Sequence, residues 1–228
     1  MPPRPVVVDL PFDGLWRVEN SPARRVPSHG THLLGSTYAI DFVGVDERGR
    51  TAGSVGWRAV LATEPPERFV AFGRPVLAPV TGTVVAVHDG EPDHAARRSP
   101  LTLAGYALGQ AGRLRAGVGA VAGNHVLVAA ASGEGVVAVV HLRAGSVRVV
   151  PGQRVVAGEQ VGACGSSGNS TQPHVHLQAV DDPDLGVARG VPILFRAYRE
   201  QVRGRPPVAR TAALPPNGAI VERIPPPR

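Results

Sequence analysis

The sequence predicts a mainly β protein, an antiparallel sheet folded into a sandwich or partial barrel with extended proline-rich ends and one helical or loop insertion. Three observations lead there. Short apolar runs rich in Val recur along the chain. Turn residues separate them, with 28 Gly and 23 Pro among 228 residues. Aromatics make up only 4%, which leaves a core of Ala and Val. β-Branched side chains suit a pleated surface, and Gly and Pro punctuate strands. At 43% hydrophobic, a chain of this length buries a core without disulfide staples, and the single Cys164 excludes an internal disulfide framework.

Residues 1–27 read as an extended arm, because Pro2, Pro3, Pro5, Pro11, Pro22 and Pro27 forbid a long helix. The main β domain is expected over 28–200. Within it Tyr38 to Val45 is an apolar run ending in a polar turn, and Pro75 to Val87 reads as two strands about a turn at Thr81-Gly82. Asn124 to Ala131 and Gly135 to His141 predict a hairpin across Ser132-Gly133-Glu134. Val147 to Val150, Arg154 to Val156 and Glu159 to Ala163 are further short strands, and His174 to Ala179 closes the series. Residues 91–119 break the pattern: Leu101, Leu103, Tyr106, Leu108 and Leu114 fall at loosely helical spacing, as in an insertion that forms a lid or groove wall. Residues 201–228 repeat the proline-rich pattern, with Pro206-Pro207, Pro215-Pro216 and Pro225-Pro226-Pro227.

The net charge of +6 favours polyanionic partners such as anionic lipid or acidic wall polymers. No run of five to eight basic residues occurs and no aromatics interleave with them, so nucleic acid is not expected. No stretch of about 18 apolar residues predicts a membrane span. The first residues lack the long apolar segment of a signal peptide, which leaves open the cytoplasm, another export route or a trimmed sequence.

Chemistry points to the histidines. Successive even positions of a strand share a face, so His174 and His176 project side by side, able to hold a metal together or to divide binding from proton transfer. Asp41 lies inside the apolar run Tyr38-Ala39-Ile40-Asp41-Phe42-Val43. A carboxylate there needs a cation or a metal, because burying it unpaired is costly. His141 ends the run Val136 to Val140, where a strand delivers a polar group to a sheet edge. Together these supply the parts of a catalytic metal site.

The order of motifs resembles the lysostaphin-like, or M23, peptidoglycan endopeptidases. Gly73 to Val84 (GRPVLAPVTGTV), Gly123-Asn124-His125-Val126, Val140-His141-Leu142, Gly165 to Ser170 (GSSGNS) and Pro173-His174-Val175-His176 follow that family's sequence of elements. The similarity spans roughly residues 29–180, apart from the insertion. It implies a fold of the duplicated-hybrid-motif type, a zinc cofactor and a peptidoglycan peptide or other peptide as substrate, and with that an extracellular or wall-associated location. It further implies that His176 and Asp41 are zinc ligands and that His141 and His174 are the catalytic imidazoles. The remaining histidine ligand of the pattern falls four residues before the aspartate, where this chain has Thr37. Ser28-His29-Gly30-Thr31 resembles an upstream histidine segment of the family, which makes His29 the expected third ligand and His32 the alternative. Asn169 and His125 are expected substrate contacts.

Two other readings compete. The Thr37 substitution suits a degenerate, non-hydrolytic relative that binds cell wall or a partner. The segments around Ala78-Pro79 and Pro151-Gly152 also look like a biotinyl-lipoyl carrier sheet. That type attaches its cofactor to a lysine, and all 24 basic residues here are Arg, so the carrier reading fails.

Overall fold

The computed structural model describes residues 4–53, 62–97, 112, 115, 117–201 and 204–224. The strands in chain order are β1 (Val6–Val8), β2 (Trp16–Glu19), β3 (Ile40–Gly44), β4 (Pro75–Leu77), β5 (Gly82–His88), β6 (Asn124–Ala130) and β7 (Val136–Leu142). They continue with β8 (Arg154–Val155), β9 (Gln160–Ala163), β10 (Val175–Val180), β11 (Gly190–Val191), β12 (Ile193–Gln201), β13 (Val208–Ala213) and β14 (Ile220–Arg223). A short α-helix, α1 (Val118–Ala122), precedes β6. Among the described residues no helix is long and apolar enough to cross a membrane.

The main sheet runs β1-β12-β14-β2-β3-β10-β7-β6-β5-β8, with β11 on β10 and β13 on β12. It is mixed rather than purely antiparallel, because β1 pairs with β12 in parallel. A separate pair, β4 and β9, lies over it and contributes Val76 and Val161 to the same core. The segment expected as two strands about Thr81-Gly82 therefore divides between layers: β4 joins β9, and β5 joins β6 and β8. The hairpin of β6 and β7 forms as expected, closed by Ala130 N–H donating to the Gly135 carbonyl at 3.0 Å.

Val147 to Val150 is not a strand. Its backbone groups are engaged elsewhere: Val147 N–H donates to the Asp89 carboxylate, Arg148 N–H to the Val161 carbonyl, and Pro151 offers no donor. Of the insertion expected at 91–119, residues 91–97 run irregularly, Ala96 bridges to Glu64, and α1 begins at its end. The leucines and Tyr106 named there lie outside the described residues.

Strand alternation divides the sheet into two faces. Val175, Leu177 and Ala179 of β10, Ile40 and Phe42 of β3, and Val137 and Val139 of β7 enter the main core. Val136, Ala138, Val140 and Val180 face the other way, into a smaller cluster with Ala122, Leu185 and Ala188. The polar side chains of β3 and β10 share that second face, beside this cluster.

Both proline-rich ends are built into the sheet: β1 and β2 come from 1–27, β13 and β14 from 201–228. Scarce aromatics fasten the N-terminal end and β12 to β3. Phe12 stacks on Trp16 with centroids 4.4 Å apart and meets Phe42 edge-on at 4.9 Å; Phe42 meets Phe195 at 5.7 Å. All four are fully buried. Each such pair adds about 0.5–1.5 kcal/mol to the burial itself. The Phe12→Ala variant is therefore expected to lose about 3–5 kcal/mol of stability, read as a lower denaturant midpoint with an unchanged slope. A loss below about 1 kcal/mol would mean that the N-terminal strands add little to the core.

Candidate metal centre and groove

Register brings the first pair together. In the antiparallel pairing of β3 with β10, Asp41 lies directly opposite His176, and on the other side of β10 His176 lies opposite Val140. His174, two residues before His176, shares its face. His141 would by alternation point with Val137 and Val139 into the core. A bulge prevents this: Val126 pairs with Val139 but Asn124 pairs with Leu142, so Val140 and His141 stand opposite a single residue. His141 takes φ 62°, a left-handed conformation that costs an imidazole-bearing residue about 1–2 kcal/mol. The bulge turns the ring to the polar face, 4.7 Å from the His174 ring and 5.8 Å from that of His176.

His29 arrives on a closed loop. Ser28 N–H donates to the Thr37 carbonyl at 3.0 Å, and Ser28 Oγ–H donates to the Ser36 carbonyl at 3.3 Å. That closure puts His29 Nε2 2.9 Å from Asp41 Oδ2. Thr37 thus anchors the segment with its backbone. His32 does not join the cluster; its Nδ1 pairs with Thr37 Oγ1 at 3.0 Å on the exposed side. Among the described residues two sets able to hold a metal result: His29, Asp41 and His176, and His141, His174 and His176, the ligand atoms of each within 4.8 Å of one another.

Hydrogen bonds to the outer ring nitrogens orient these imidazoles. His141 Nδ1–H donates to the Ser167 carbonyl at 2.9 Å, and His174 Nδ1–H donates to the Gln172 carbonyl at 2.8 Å. Gln178 accepts from His176 Nε2–H through Oε1 at 2.9 Å, while its own amide donates to the Leu34 carbonyl at 2.7 Å. Each partner assigns the tautomer, so Nε2 of His141 and His174 and Nδ1 of His176 carry lone pairs directed inward. The lone pair of His176 Nδ1 faces Asp41 Oδ1 at 2.9 Å, yet this buried oxygen accepts no hydrogen bond of acceptable geometry. Two acceptors this close need a cation between them. The donor set therefore fits a metal.

Electrostatics agree. Burial opposes ionisation of Asp41, but the charges of His29 and His174 and hydrogen bonding from His29 hold its carboxyl well below the usual range. Burial, followed by the charges of His174 and His176, pushes His141 well below the ordinary imidazole value. His141 is thus a neutral acceptor near pH 7.

The loop before His174 is fixed from behind. Ser166 N–H and Ala144 N–H donate to the Asp93 carboxylate at 2.6 and 3.0 Å, and His94 Nε2 contacts the Gly168 carbonyl at 2.6 Å. Gly168 and Gly123, both at positive φ, pack backbone to backbone where a side chain on either would collide with the other. Ser167, whose carbonyl holds His141, also accepts from Asn124 N–H through Oγ at 3.0 Å.

The groove beside the cluster encloses about 310 Å³, and Asn169 lines it together with all four site histidines and Asp41. His125 is not part of this lining. It stands opposite His88 across β5 and β6, its ring 5.5 Å from that of His88 and its Nδ1 2.7 Å from the Gly123 carbonyl; burial first, then His88, lowers its pKa. Two residues escaped the sequence reading. Gln178 was within reach of it, being the next side chain after His176 on the same strand face. Asn20, whose amide donates to Asp41 Oδ2 at 2.8 Å, carries no local signal.

Partners of a ligand's outer nitrogen typically tune metal affinity by about 10–100-fold. The Gln178→Ala variant is expected to bind zinc weaker by about that factor, and Gln178→Glu, which keeps the acceptor, to hold it. Competition against a chromophoric chelator measures both. Equal affinity in Gln178→Ala would mean that the amide does not orient His176.

A model of peptidase family M23 matches residues 104–184. No curated protein matches the chain. Among solved structures the chain is similar to the catalytic domain of the antimicrobial peptidase lysostaphin from Staphylococcus simulans, at 18% identity, TM-score 0.38, covering 69% of this chain and 78% of that one. It is similar to the catalytic domain of the prophage-encoded M23 protein EnpA from Enterococcus faecalis, at 18% identity and TM-score 0.39, covering 84% and 93%. It is also similar to the M23 metalloprotease pseudoalterin from the deep sea, at 15% identity and TM-score 0.43, covering 90% and 98%. His141, His174 and His176 lie within the stretch that the M23 family model matches, while His29 and Asp41 reach the same site from outside it.

Proposed function

We propose that the chain is a zinc-dependent endopeptidase that hydrolyses peptide cross-links of bacterial peptidoglycan. The observation that carries this reading is the convergence of His29, His176 and the unsatisfied Asp41 Oδ1, with His141 and His174 directing inward lone pairs beside them. Imidazole nitrogen with one carboxylate oxygen suits zinc. Zinc held by His29, Asp41 and His176 would polarise the scissile carbonyl and bring a water's pKa toward neutrality.

The chain's own groups do the rest. His141, anchored through Nδ1 on Ser167 and kept neutral by burial, accepts a proton from the attacking water at Nε2. It then returns that proton to the leaving amine. His174, anchored on Gln172, takes up a proton from solvent at Nε2 and from there donates a hydrogen bond to the oxyanion that develops on the carbonyl, with Asp41 at 3.7 Å as counter-ion. Asn169 on the groove wall offers hydrogen bonds to the substrate backbone. The peptide substrate follows from the family match over 104–184 and the wall substrate from the motif resemblance; a net charge of +6 draws the protein to anionic wall polymers. Action at the cell wall goes with that substrate.

The competing reading, a non-hydrolytic regulator that binds wall or a partner, arose from Thr37. The position of His29 against Asp41 supports the enzyme instead. Metal analysis and hydrolysis assays separate the two. Wild type is expected to retain one zinc per chain after dialysis, His29→Ala to lose it, and His32→Ala to keep it. A wild-type chain that stays zinc-free after zinc addition would hand the case to the regulator. The His141→Ala variant is expected to keep its zinc while kcat falls at least about 100-fold. Undiminished turnover in that variant would remove His141 from the proton transfer.

A further inference from the structure

Leu34 has φ 54° and ψ 28°, a left-handed conformation that a branched, bulky side chain rarely adopts. Its neighbour Gly35 shares the conformation at no such penalty. The turn is needed, because it aims the Leu34 carbonyl at Gln178, which in turn orients His176. A glycine would hold that carbonyl equally well. What leucine adds is its side chain, and Leu34 lines the groove next to the metal centre. Strain held at one position of a binding cleft marks a function for the group it presents.

The surroundings say which function. Val121 and Ala122 from α1, Val140 from β7 and Leu185 from the loop after β10 line the same groove. Leu185, Ala122 and Val140 belong to one buried cluster, so this wall is backed by packed side chains rather than by solvent. Asp41 is the only carboxylate among the described lining residues, and the histidines and Asn20 engage it. We propose that Leu34, with Val121 and Leu185, forms an aliphatic subsite beside the metal centre that selects a substrate residue carrying an uncharged apolar side chain, such as alanine or leucine, over glycine or an acidic residue. The subsite deepens the peptidase reading and rests on it for the term substrate.

End-blocked pentapeptides of the form Gly-Gly-X-Gly-Gly, with X as Gly, Ala, Leu or Asp, test the subsite by calorimetry. Binding is measured on the zinc-loaded full chain in the His141→Ala background, so that turnover does not interfere. The Leu peptide is expected to bind about tenfold tighter than the Gly peptide, with Ala between them and Asp weakest. Adding Leu34→Gly keeps the backbone conformation and the carbonyl, so zinc content is expected to stay constant while the Leu-to-Gly preference collapses toward unity. Val121→Ser, which leaves the turn untouched, is expected to reduce the same preference and stands in if Leu34→Gly fails to fold. Equal affinities for Leu and Gly peptides, or a preference that survives both substitutions, would overturn the subsite. Hydrolysis by the wild-type chain is scored separately. An intact preference without hydrolysis sinks the peptidase reading alone, and hydrolysis without preference sinks the subsite alone.

Discussion

A carboxylate set inside an apolar strand is stable only if positive charge or hydrogen bonds compensate it, and Asp41 organises the site around that need. Asp41 is buried, only 6% exposed, with His29 and His176 each at 2.9 Å, His174 at 3.7 Å and the Asn20 amide at 2.8 Å. Four side chains, from residue 20 to residue 176, meet on this one group. Without it the imidazoles would face one another across a buried space with no counter-charge. With it they form a preorganised ring of donors, each locked by an outer hydrogen bond.

The sheet supplies the geometry through alternation and one deliberate break in it. Even positions of β10 and odd positions of β3 share a face because the two strands pair Asp41 with His176. The third strand, β7, carries its histidine in the wrong phase, and the bulge at Val140 and His141 corrects it. The energetic cost of the left-handed His141 is borne by a strand whose other residues are buried on both faces. Leu34 repeats the arrangement in a loop: strain at one residue sets a carbonyl that orients Gln178 and, through it, His176.

Rigidity comes from behind the site as well. Asp93, Asn124 and Ser167 spend their polar groups on backbone partners, so the loop from Gly165 to Ser170 is tied to both the β6–β7 hairpin and the stretch after β5. Phe12, Trp16, Phe42 and Phe195 do the equivalent for the sheet, drawing the N-terminal segment and β12 onto β3, the strand that carries Asp41. Site and core therefore share a strand, with Ile40 and Phe42 facing one and Asp41 the other.

The β character, most strand positions and the same-face pairing of His174 with His176 were determined by the sequence, because β-branched runs, turn residues and a period of two are local properties. The buried-acid argument for Asp41 was equally local. Tertiary structure decided what depends on contacts remote in the chain. It took the proline-rich ends into the sheet, since proline excludes helix but says nothing of which strand an extended segment will pair with. It kept Val147 to Val150 out of the strands, because Asp89 takes the Val147 N–H and leaves Arg148 a single bond to Val161. It set His29 rather than His32 against Asp41 through the backbone closure of Ser28 on Thr37, and it turned His141 toward His174 and His176 by a bulge. Loop closure and strand register are settled by distant partners, and a pattern read along one strand carries no record of them.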